Sequence, residues 1–316
     1  MKASGGYFEL ELHKGKHYHD NAKRLNTARN CFEYVLRARH YRKVYFPYYT
    51  CEVMLEPINK LGIDYEFYHI NELLEPVLLP GLKANEAFLY TNYFGLKQSC
   101  VKRLADMYGN RLIVDNAQAF YAEPLSGIDT FYSARKFFGL GDGAYLYTDK
   151  DLQKDFEQDN SYDTLTHLLK RVDLDAEAGY NDFKKNDDAL MGQDIKKMSK
   201  LTDSLLSGID YEKAKTVRKE NYNILDTALS KTNHVHFDLF EDDIPMVYPY
   251  LTDDKSLKQR LITEKIFVAT YWPNVKEWAI EGTMERKLVE RLVPIPCDHR
   301  YGIEEMTRII SSVLNE

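Results

Sequence analysis

Apolar residues follow two different spacings along the first 150 residues of the chain. Short apolar runs predict strands at 43–46, 64–70, 87–91, 112–115 and 144–148. Apolar positions at helical spacing predict helices at 28–39, from a Thr50 cap to Gly62, and at 97–108 before Gly109. Strands that alternate with helices in this way indicate βαβ units and a mainly parallel sheet covered on both faces.

In the second half of the chain, the pattern of charged and apolar residues changes at about residue 150 and again at about residue 235. Residues 150–230 are rich in charge and predict mostly helices, with 182–188 polar enough for an exposed loop. After about residue 235 the alternation returns, with strands predicted at 246–251, 266–269 and 292–296 and helices from 255 and over 303–314. We therefore expect a large domain at 1–230, which includes an N-terminal segment and connecting helices, and a small C-terminal α/β domain at 231–316.

Polar residues follow several of the predicted strands. Ligands of parallel sheets bind at the carboxyl ends of the strands, where Tyr49, Asn92 and Asp115 are expected. Asp115 ends the apolar run 112–115, as happens when a buried strand delivers an acid to its carboxyl end. A strand-end aspartate can also simply cap the loop that follows it.

A second candidate segment places a lysine beside a glycine-rich turn. Lys136 lies three residues after Ser133 and shortly before the turn at 139–143. Pyridoxal 5'-phosphate (PLP) needs a lysine for its Schiff base and an acid that keeps the ring nitrogen protonated. Lys136 and Asp115 supply these two groups, so their order and spacing predict a PLP site. The alternative interpretation is that Lys136 is an ordinary surface lysine near a turn.

Composition narrows the classes of function. The 316 residues are 44% hydrophobic and 29% charged, and the net charge of −7 argues against binding nucleic acid or an anionic membrane. No apolar run approaches a membrane span, and the N-terminus has no apolar signal region. The four cysteines lack paired spacing, which disfavours a zinc site or disulfide framework and suits a reducing cytoplasm. His17 and His19 have no partner ligands at a suitable spacing, so we expect them to be exposed and predict no metal.

The chain resembles the DegT/DnrJ/EryC1/StrS family of PLP-dependent sugar aminotransferases, as an abbreviated and divergent member. The most specific matches are Asp115-x-x-Gln118 and Lys136-Phe137-Phe138-Gly139-Leu140-Gly141-Asp142-Gly143. Weaker segments match in the same order: 25–29, 46–50, 179–181, 271–273 and 293–296. The resemblance implies the aspartate aminotransferase-like fold of fold-type I PLP enzymes, an α/β fold with a mainly parallel sheet and a smaller C-terminal α/β domain.

The resemblance also implies roles for individual residues. Lys136 would form the Schiff base and carry the proton between the amino donor and the cofactor. Asp115 would pair with the pyridinium nitrogen. Gln118 would reach the phenolic oxygen of the ring or lie against its face.

The phosphate group of the cofactor needs hydroxyls and backbone amides at a helix N-terminus. Thr27, Ala28 and Arg29 match the phosphate-binding turn of the family, and Ser133 supplies a hydroxyl three residues before the lysine. The family more often carries its serine five residues before the lysine, where this chain has Phe131. Arg135 is a further candidate ligand of the phosphate.

Two other positions depart from the pattern of the family. In the family, an aromatic ring usually stacks on the cofactor from the position after the threonine, which is Cys51 here. Either the sulfur of Cys51 packs against the cofactor ring, or Tyr49 or Tyr93 takes over the stacking. Asn181 matches an asparagine that reaches the phosphate of the neighbouring subunit, although the usual arginine two residues later is Phe183. This match implies a homodimer with its active site at the interface.

The implied activity is transfer of an amino group from an amino acid such as glutamate to a keto-sugar, with a nucleotide-linked sugar as acceptor. Two alternatives remain open. The first is a PLP-binding protein of the same fold with lost or regulatory activity, which the departures at Cys51, Phe131 and Phe183 suggest. The second is a Rossmann-like nucleotide-binding scaffold without PLP.

Overall fold

A seven-stranded sheet lies at the centre of the first half of the chain. The structure, a computed structural model, describes residues 4–315. The strands of this sheet are β1 (Lys23–Leu25), β2 (Lys43–Pro47), β3 (Asp64–Tyr68), β4 (Glu86–Thr91), β5 (Leu112–Asn116), β6 (Asp129–Ser133) and β7 (Ala144–Tyr147). Their order across the sheet is β1-β7-β6-β5-β4-β2-β3. Strand β7 runs antiparallel to β1 and β6, and the other neighbouring strands are parallel.

Helices surround this sheet and continue into the second half of the chain. They are α1 (Ala28–Arg39), α2 (Leu55–Leu61), α3 (Gln98–Tyr108), α4 (Thr166–Asp173), α5 (Ala176–Ala189), α6 (Lys200–Ser207), α7 (Tyr211–Leu229), α8 (Leu257–Thr263), α9 (Val275–Trp278), α10 (Met284–Arg291) and α11 (Ile303–Leu314). Short 3-10 helices lie at Glu52–Met54, Tyr93–Gly95, Gly109–Arg111 and Ala134–Lys136. A second, antiparallel sheet pairs β8 (Val247–Leu251) with β9 (Leu292–Pro296).

The large sheet is buried on both faces, as the sequence predicts. Along β4, Ala87 and Leu89 belong to one hydrophobic cluster, while Phe88 and Tyr90 belong to another. Successive side chains of a strand point to opposite faces, so the two clusters cover the two sides of the sheet. The near-continuous apolar runs of β4 and β5 are the pattern expected for strands covered on both sides.

Several predicted elements have the bounds expected from the sequence. Helix α1 covers residues 28–39, β9 covers 292–296, and α11 covers 303–314. Helix α3 ends where predicted, because Gly109 follows it with a positive φ of 54°.

The prediction that Thr50 caps a helix was wrong. A 3-10 helix begins after Cys51, without a side-chain cap, and α2 starts only at Leu55. The reason is Pro57, which is tolerated in the first turn of a helix but not in its interior. The helix therefore cannot extend back to Thr50.

Two further elements differ from the sequence-based expectation. Residues 182–188, predicted as an exposed loop, lie in helix α5. This stretch is polar but contains no glycine or proline that would break a helix, so polarity alone was a misleading signal. Residues 266–269, predicted as a strand, pair with no strand of the described chain, although Ile266 and Val268 are buried.

His17 and His19 are buried, contrary to the expected exposure. The Nδ1 atom of His17 lies 2.6 Å from the hydroxyl of Tyr145, and Nε2 of His19 lies 2.6 Å from the carbonyl oxygen of Phe120. The N-terminal segment therefore packs against the large sheet through its two imidazoles.

The boundary expected between residues 230 and 231 falls just after α7 ends at Leu229. One hydrophobic cluster nevertheless runs from the large sheet into β8, β9 and α11. The division at this point stays a prediction. Within residues 4–315, no helix has the length and apolar character needed to cross a membrane.

Candidate active site

A cleft opens at the carboxyl ends of four neighbouring strands, β2, β4, β5 and β6. Its empty space amounts to about 780 Å³, part of which is open to solvent. Thr91 closes β4, Asp115 lies near the end of β5, and Ser133 closes β6. The turn after β2 adds Thr50 and Cys51 to the lining. The parallel topology therefore brings together side chains that are far apart in sequence.

Asp115 is a buried carboxylate at the floor of the cleft. It lies opposite Thr91 in the register of β4 and β5, and its Oδ1 accepts a 2.8 Å hydrogen bond from the backbone of Ala117. Burial raises the pKa of Asp115, opposed by the positive charge of Lys136 and by the Ala117 N–H. A cationic ring nitrogen at this carboxylate would compensate its loss of hydration.

Lys136 extends into the same cleft from the last position of the 3-10 helix that follows β6. Its side chain is exposed, and it forms no hydrogen bond or ion pair with any other residue in the range 4–315. Its charge also acts on Cys51, whose thiol pKa is raised by burial and lowered by Lys136. The amine is therefore available for a covalent bond with a ligand in the cleft.

The glycine-rich turn holds the lysine segment in place. Gly143 has φ +96°, and its N–H donates a 2.7 Å hydrogen bond to the carbonyl of Asn26. Its own carbonyl accepts a 3.1 Å hydrogen bond from Ala134. A Cβ at position 143 would lie 2.6 Å from Cγ2 of Thr202, so the turn requires glycine.

The N-terminus of α1 points into the cleft beside Ser133. Thr27 is the N-cap, and its hydroxyl accepts a 3.1 Å hydrogen bond from the backbone of Asn30. Ala28 and Arg29 line the cleft, and their backbone N–H groups have no acceptor within the described chain. The first turn of α1 contains no acidic residue. Free amides, a positive helix end and a nearby hydroxyl form a site suited to phosphate.

The two arginines of the cleft are already paired with carboxylates. Arg29 donates a 2.7 Å hydrogen bond to Glu56, and Arg135 forms an ion pair with Asp187 of α5. The cationic charge at this end of the cleft is therefore largely balanced. A phosphate there would be held mainly by backbone amides and hydroxyls.

Gln118 presents an unused hydrogen-bond donor to the cleft. Its Oε1 accepts a 3.1 Å hydrogen bond from the backbone of Phe94, which fixes the amide group. Its Nε2 is buried and has no partner within the described residues. A buried donor without an acceptor is costly, so an acceptor on a bound ligand would satisfy it.

These groups correspond to the polar parts of PLP. The carboxylate of Asp115 could pair with the ring nitrogen, and the amine of Lys136 could bond to the aldehyde carbon. The amide of Gln118 could donate to the phenolic oxygen, and the N-terminus of α1 could bind the phosphate. The donor set of the cleft therefore fits this cofactor. Among residues 4–315, no group of three or more His, Cys, Asp or Glu side chains is arranged to hold a metal ion.

Of the residues selected from the sequence, Thr27, Ala28, Arg29, Cys51, Asp115, Gln118, Ser133 and Lys136 line the cleft. Tyr49 does not, because it is fully buried behind the turn that carries Cys51. Tyr93, the other candidate for ring stacking, is also fully buried and donates a 2.8 Å hydrogen bond to the carbonyl of Tyr49. Their direct contact with a cofactor stays a prediction.

Asn92 and Asn181 are also outside the cleft lining. Asn92 is buried in the turn after β4, where its backbone N–H donates a 3.0 Å hydrogen bond to the carbonyl of Asp115. Its side chain bonds to Lys97 and Gln98, so Asn92 stabilises the turn beside the carboxylate. Asn181 lies exposed on α5, away from the cleft of its own chain.

The structure adds lining residues that the sequence did not reveal. Thr91 could have been found from its strand-end position beside Asn92. Asp142 lies within the recognised turn, and its carboxylate accepts hydrogen bonds from Ser161 and Thr202. Trp272 lies in the weak match at 271–273, for which the sequence indicated no role, and tertiary packing brings it to the cleft.

The chain has the fold of the PLP-dependent transferases of fold type I, as the sequence predicted. No family model matches the sequence, and no curated protein matches it. The solved structures that it resembles include a sugar aminotransferase and a DegT DnrJ EryC1 StrS aminotransferase from Brucella abortus.

Three of these structures illustrate the similarity. The sugar aminotransferase CalS13 from Micromonospora echinospora is 15% identical, with a TM-score of 0.63 over 94% of this chain and 87% of its own. DesV of S. venezuelae, solved with a ketimine intermediate, is 16% identical, with a TM-score of 0.65 over 93% and 84%. NtdA from Bacillus subtilis, solved with bound PMP, is 12% identical, with a TM-score of 0.62 over 93% and 72%.

Proposed function

We propose that this protein is a PLP-dependent aminotransferase that moves an amino group from an amino acid such as glutamate to a keto-sugar. The observation that carries this proposal is the unpaired amine of Lys136 and the buried carboxylate of Asp115 in one cleft, beside a helix N-terminus. When bound, the cofactor supplies an electron-withdrawing ring that stabilises negative charge on the reacting carbon.

Each residue then has a task that its position supports. The α1 N-terminus and Ser133 hold the phosphate and fix the register of the ring. Asp115 keeps a proton on the ring nitrogen, and Gln118 donates to the phenolic oxygen. The amine of Lys136 anchors the cofactor and, once released, moves the proton away from the α-carbon of the donor. Its exposed position gives it the freedom to do both.

The sugar acceptor is proposed from the similarity to solved structures, because no lining residue is specific to a sugar. One of these, DesI, was solved in the presence of its TDP-sugar product and has a TM-score of 0.64 to this chain. A nucleotide-linked keto-sugar is therefore the first acceptor to test. Sugar amination of this kind would place the enzyme in polysaccharide biosynthesis.

We infer a homodimer from the helical hairpin formed by α4 and α5. Large apolar side chains are exposed along it, including Leu169, Val172, Leu174 and Tyr180. A soluble monomer seldom leaves such a set uncovered. Asn181 lies on this hairpin, so covering it with a second copy would bring Asn181 toward the partner. Sedimentation of the protein and of Val172→Glu tests this, and a monomer at all concentrations would contradict it.

The cytoplasm is the proposed location. Cys31, Cys51, Cys100 and Cys297 are all free thiols. Free cysteines that form no disulfide are typical of proteins in a reducing compartment.

The aminotransferase proposal is tested by trapping the cofactor. The protein is incubated with PLP, reduced with borohydride, digested and mapped, and the label is expected on Lys136. Lys136→Ala should lose the label and the visible absorbance, whereas the exposed Lys83→Ala should keep both. A label on another lysine, or no bound PLP, would overturn the proposal.

A half-reaction then separates an active enzyme from a cofactor-binding protein. Addition of glutamate or another amino donor should convert the visible spectrum to that of the pyridoxamine form. A protein labelled on Lys136 that responds to no donor would instead support the alternative, a PLP-binding protein with lost or regulatory activity.

A further inference from the structure

The cleft contains very little aromatic surface. The residue after Thr50 is Cys51, a small side chain at the position where the resembled family usually carries a stacking ring. Tyr49 and Tyr93 are both fully buried and do not reach the lining. In the part of the chain that the structure describes, Trp272 is the single aromatic side chain that lines the cleft.

Trp272 is held directly beside the turn that carries Cys51. The side chain of Asn274 donates a 3.0 Å hydrogen bond to the carbonyl of Thr50, which joins the segment at 271–274 to that turn. The indole meets the ring of Tyr49 edge-on, with the ring centroids 5.0 Å apart. Trp272 is only 8% exposed, so its position is set by packing on this wall of the cleft.

We propose that Trp272 provides the aromatic surface for the pyridine ring of the cofactor, in place of a ring at position 51. This inference rests on the proposed function. A cysteine is too small to cover a ring face, whereas an indole offers one of the largest apolar surfaces of any side chain. The two residues share one wall, so the small residue at 51 leaves room for the large one at 272.

The position of Trp272 in the chain gives its contact with the cofactor ring a second consequence. Trp272 follows α8 in the C-terminal part of the chain, whereas Asp115 and Lys136 come from the large sheet. A ring held between them links the two parts through the ligand. Cofactor binding should therefore protect the segment at 271–274 from proteolysis or hydrogen exchange.

The chain offers a matched control for this residue. It has only two tryptophans, and the second, Trp278, packs on Phe67 with ring centroids 5.0 Å apart, outside the cleft lining. In Trp278→Phe all tryptophan emission comes from Trp272, and added PLP should quench most of it. In Trp272→Phe the emission comes from Trp278, and quenching should be clearly weaker. Equal quenching in the two variants would contradict the proposal.

Affinity for the cofactor gives an independent readout. Trp272→Leu removes the aromatic face but keeps apolar volume, and it should raise the dissociation constant for PLP about tenfold, as expected for one lost aromatic contact. Trp272→Phe should stay within about threefold of the wild type. Adding Cys51→Phe to Trp272→Leu should restore most of the affinity, while Trp278→Leu should leave it unchanged.

The outcomes separate this inference from the proposed function. If the wild-type protein binds no PLP, or its label is not on Lys136, the proposed function fails. If PLP labels Lys136 and Trp272→Leu binds it with wild-type affinity, only the role of Trp272 fails. Circular dichroism of each cofactor-free variant checks the fold, and if Trp272→Leu does not fold, the quenching of Trp278→Phe still decides the question.

Discussion

His19 is the group through which we expect acid to destabilise this protein most clearly. It is 2% exposed, and its ring centroid lies 4.1 Å from that of Tyr132. In the neutral ring, Nε2–H donates to the carbonyl of Phe120 at 2.6 Å, and Nδ1 accepts from the hydroxyl of Tyr147 at 3.3 Å. Phe120 lies two residues after Gln118, so His19 supports the segment that carries the amide donor of the cleft.

The size of the effect follows from the pKa of His19. Burial lowers this pKa from 6.5 to about 4, opposed by the hydrogen bond to Phe120. As the pH falls below 6.5, the unfolded chain takes up a proton that the folded chain refuses, so the free energy of unfolding decreases until the pH reaches about 4. At about 1.36 kcal/mol per pH unit, this interval corresponds to about 3 kcal/mol, of which about 2 kcal/mol is lost by pH 5.

Urea unfolding near pH 8 and near pH 5 measures this loss, with His19→Gln as the test variant. Glutamine can still donate to Phe120 but does not titrate, so the variant should be less stable near pH 8 and lose less stability near pH 5. The exposed His13→Gln is the control and should follow the wild type. Burial and the charge of Arg24 also lower the pKa of His17, and the charge of Asp203 opposes them. Adding His17→Gln to His19→Gln should therefore make the free energy of unfolding depend still less on pH. Parallel curves for wild type and His19→Gln would refute the reasoning.

Three other substitutions test the site and its support. In Asp115→Asn, activity with PLP should fall about 10²- to 10³-fold. The cofactor-free variant should unfold at an equal or higher urea concentration than the wild type at pH 7, because burial raises the pKa of the Asp115 carboxyl and makes its charge costly. This gain in stability should shrink near pH 4. Arg39→Met leaves the fully buried Asp129 without its cation and should cost about 3–5 kcal/mol in urea unfolding, part of which Asp129→Asn in the same chain should recover. Gly143→Ala should lower the free energy of unfolding by about 1–3 kcal/mol and weaken PLP binding, because residue 143 has φ +96° and its Cβ would collide with Thr202. Thermal unfolding measures the first effect, and absorbance titration with PLP measures the second.

The elements that the sequence predicted well have strong local signals. Helix α1 has a hydroxyl cap at Thr27, and α3 is followed by Gly109 with its positive φ. Asp115 could be placed at the carboxyl end of a parallel strand, and its order and spacing with Lys136 predicted that the two share one PLP site. Local pattern and general topology were enough for this part of the site.

The errors arose where tertiary contacts decide the outcome. His17 and His19 look like exposed polar residues in the sequence, but tyrosines of the large sheet and the backbone carbonyl of Phe120 are their partners. The segment at 266–269 has the composition of a strand, yet within residues 4–315 the small sheet consists of β8 and β9 and does not include this segment. Trp272 reaches the cleft through tertiary contacts, which include packing on Tyr49 and the hydrogen bond from Asn274 to Thr50. No spacing along the chain encodes these contacts.

The departure at Phe131 has a physical explanation in the geometry of β6. Side chains two residues apart on a strand point to the same face, so Ser133 presents its hydroxyl on the side that Phe131 occupies, about 6.6 Å further along the strand. Phe131 is fully buried and packs on Phe32 of α1, with ring centroids 5.9 Å apart. The ring thus fixes the helix whose N-terminus faces the cleft, while the hydroxyl lies at the open end of the strand beside it. In the proposed function, Ser133 would therefore supply the hydroxyl that position 131 lacks, while the ring of Phe131 supports the helix.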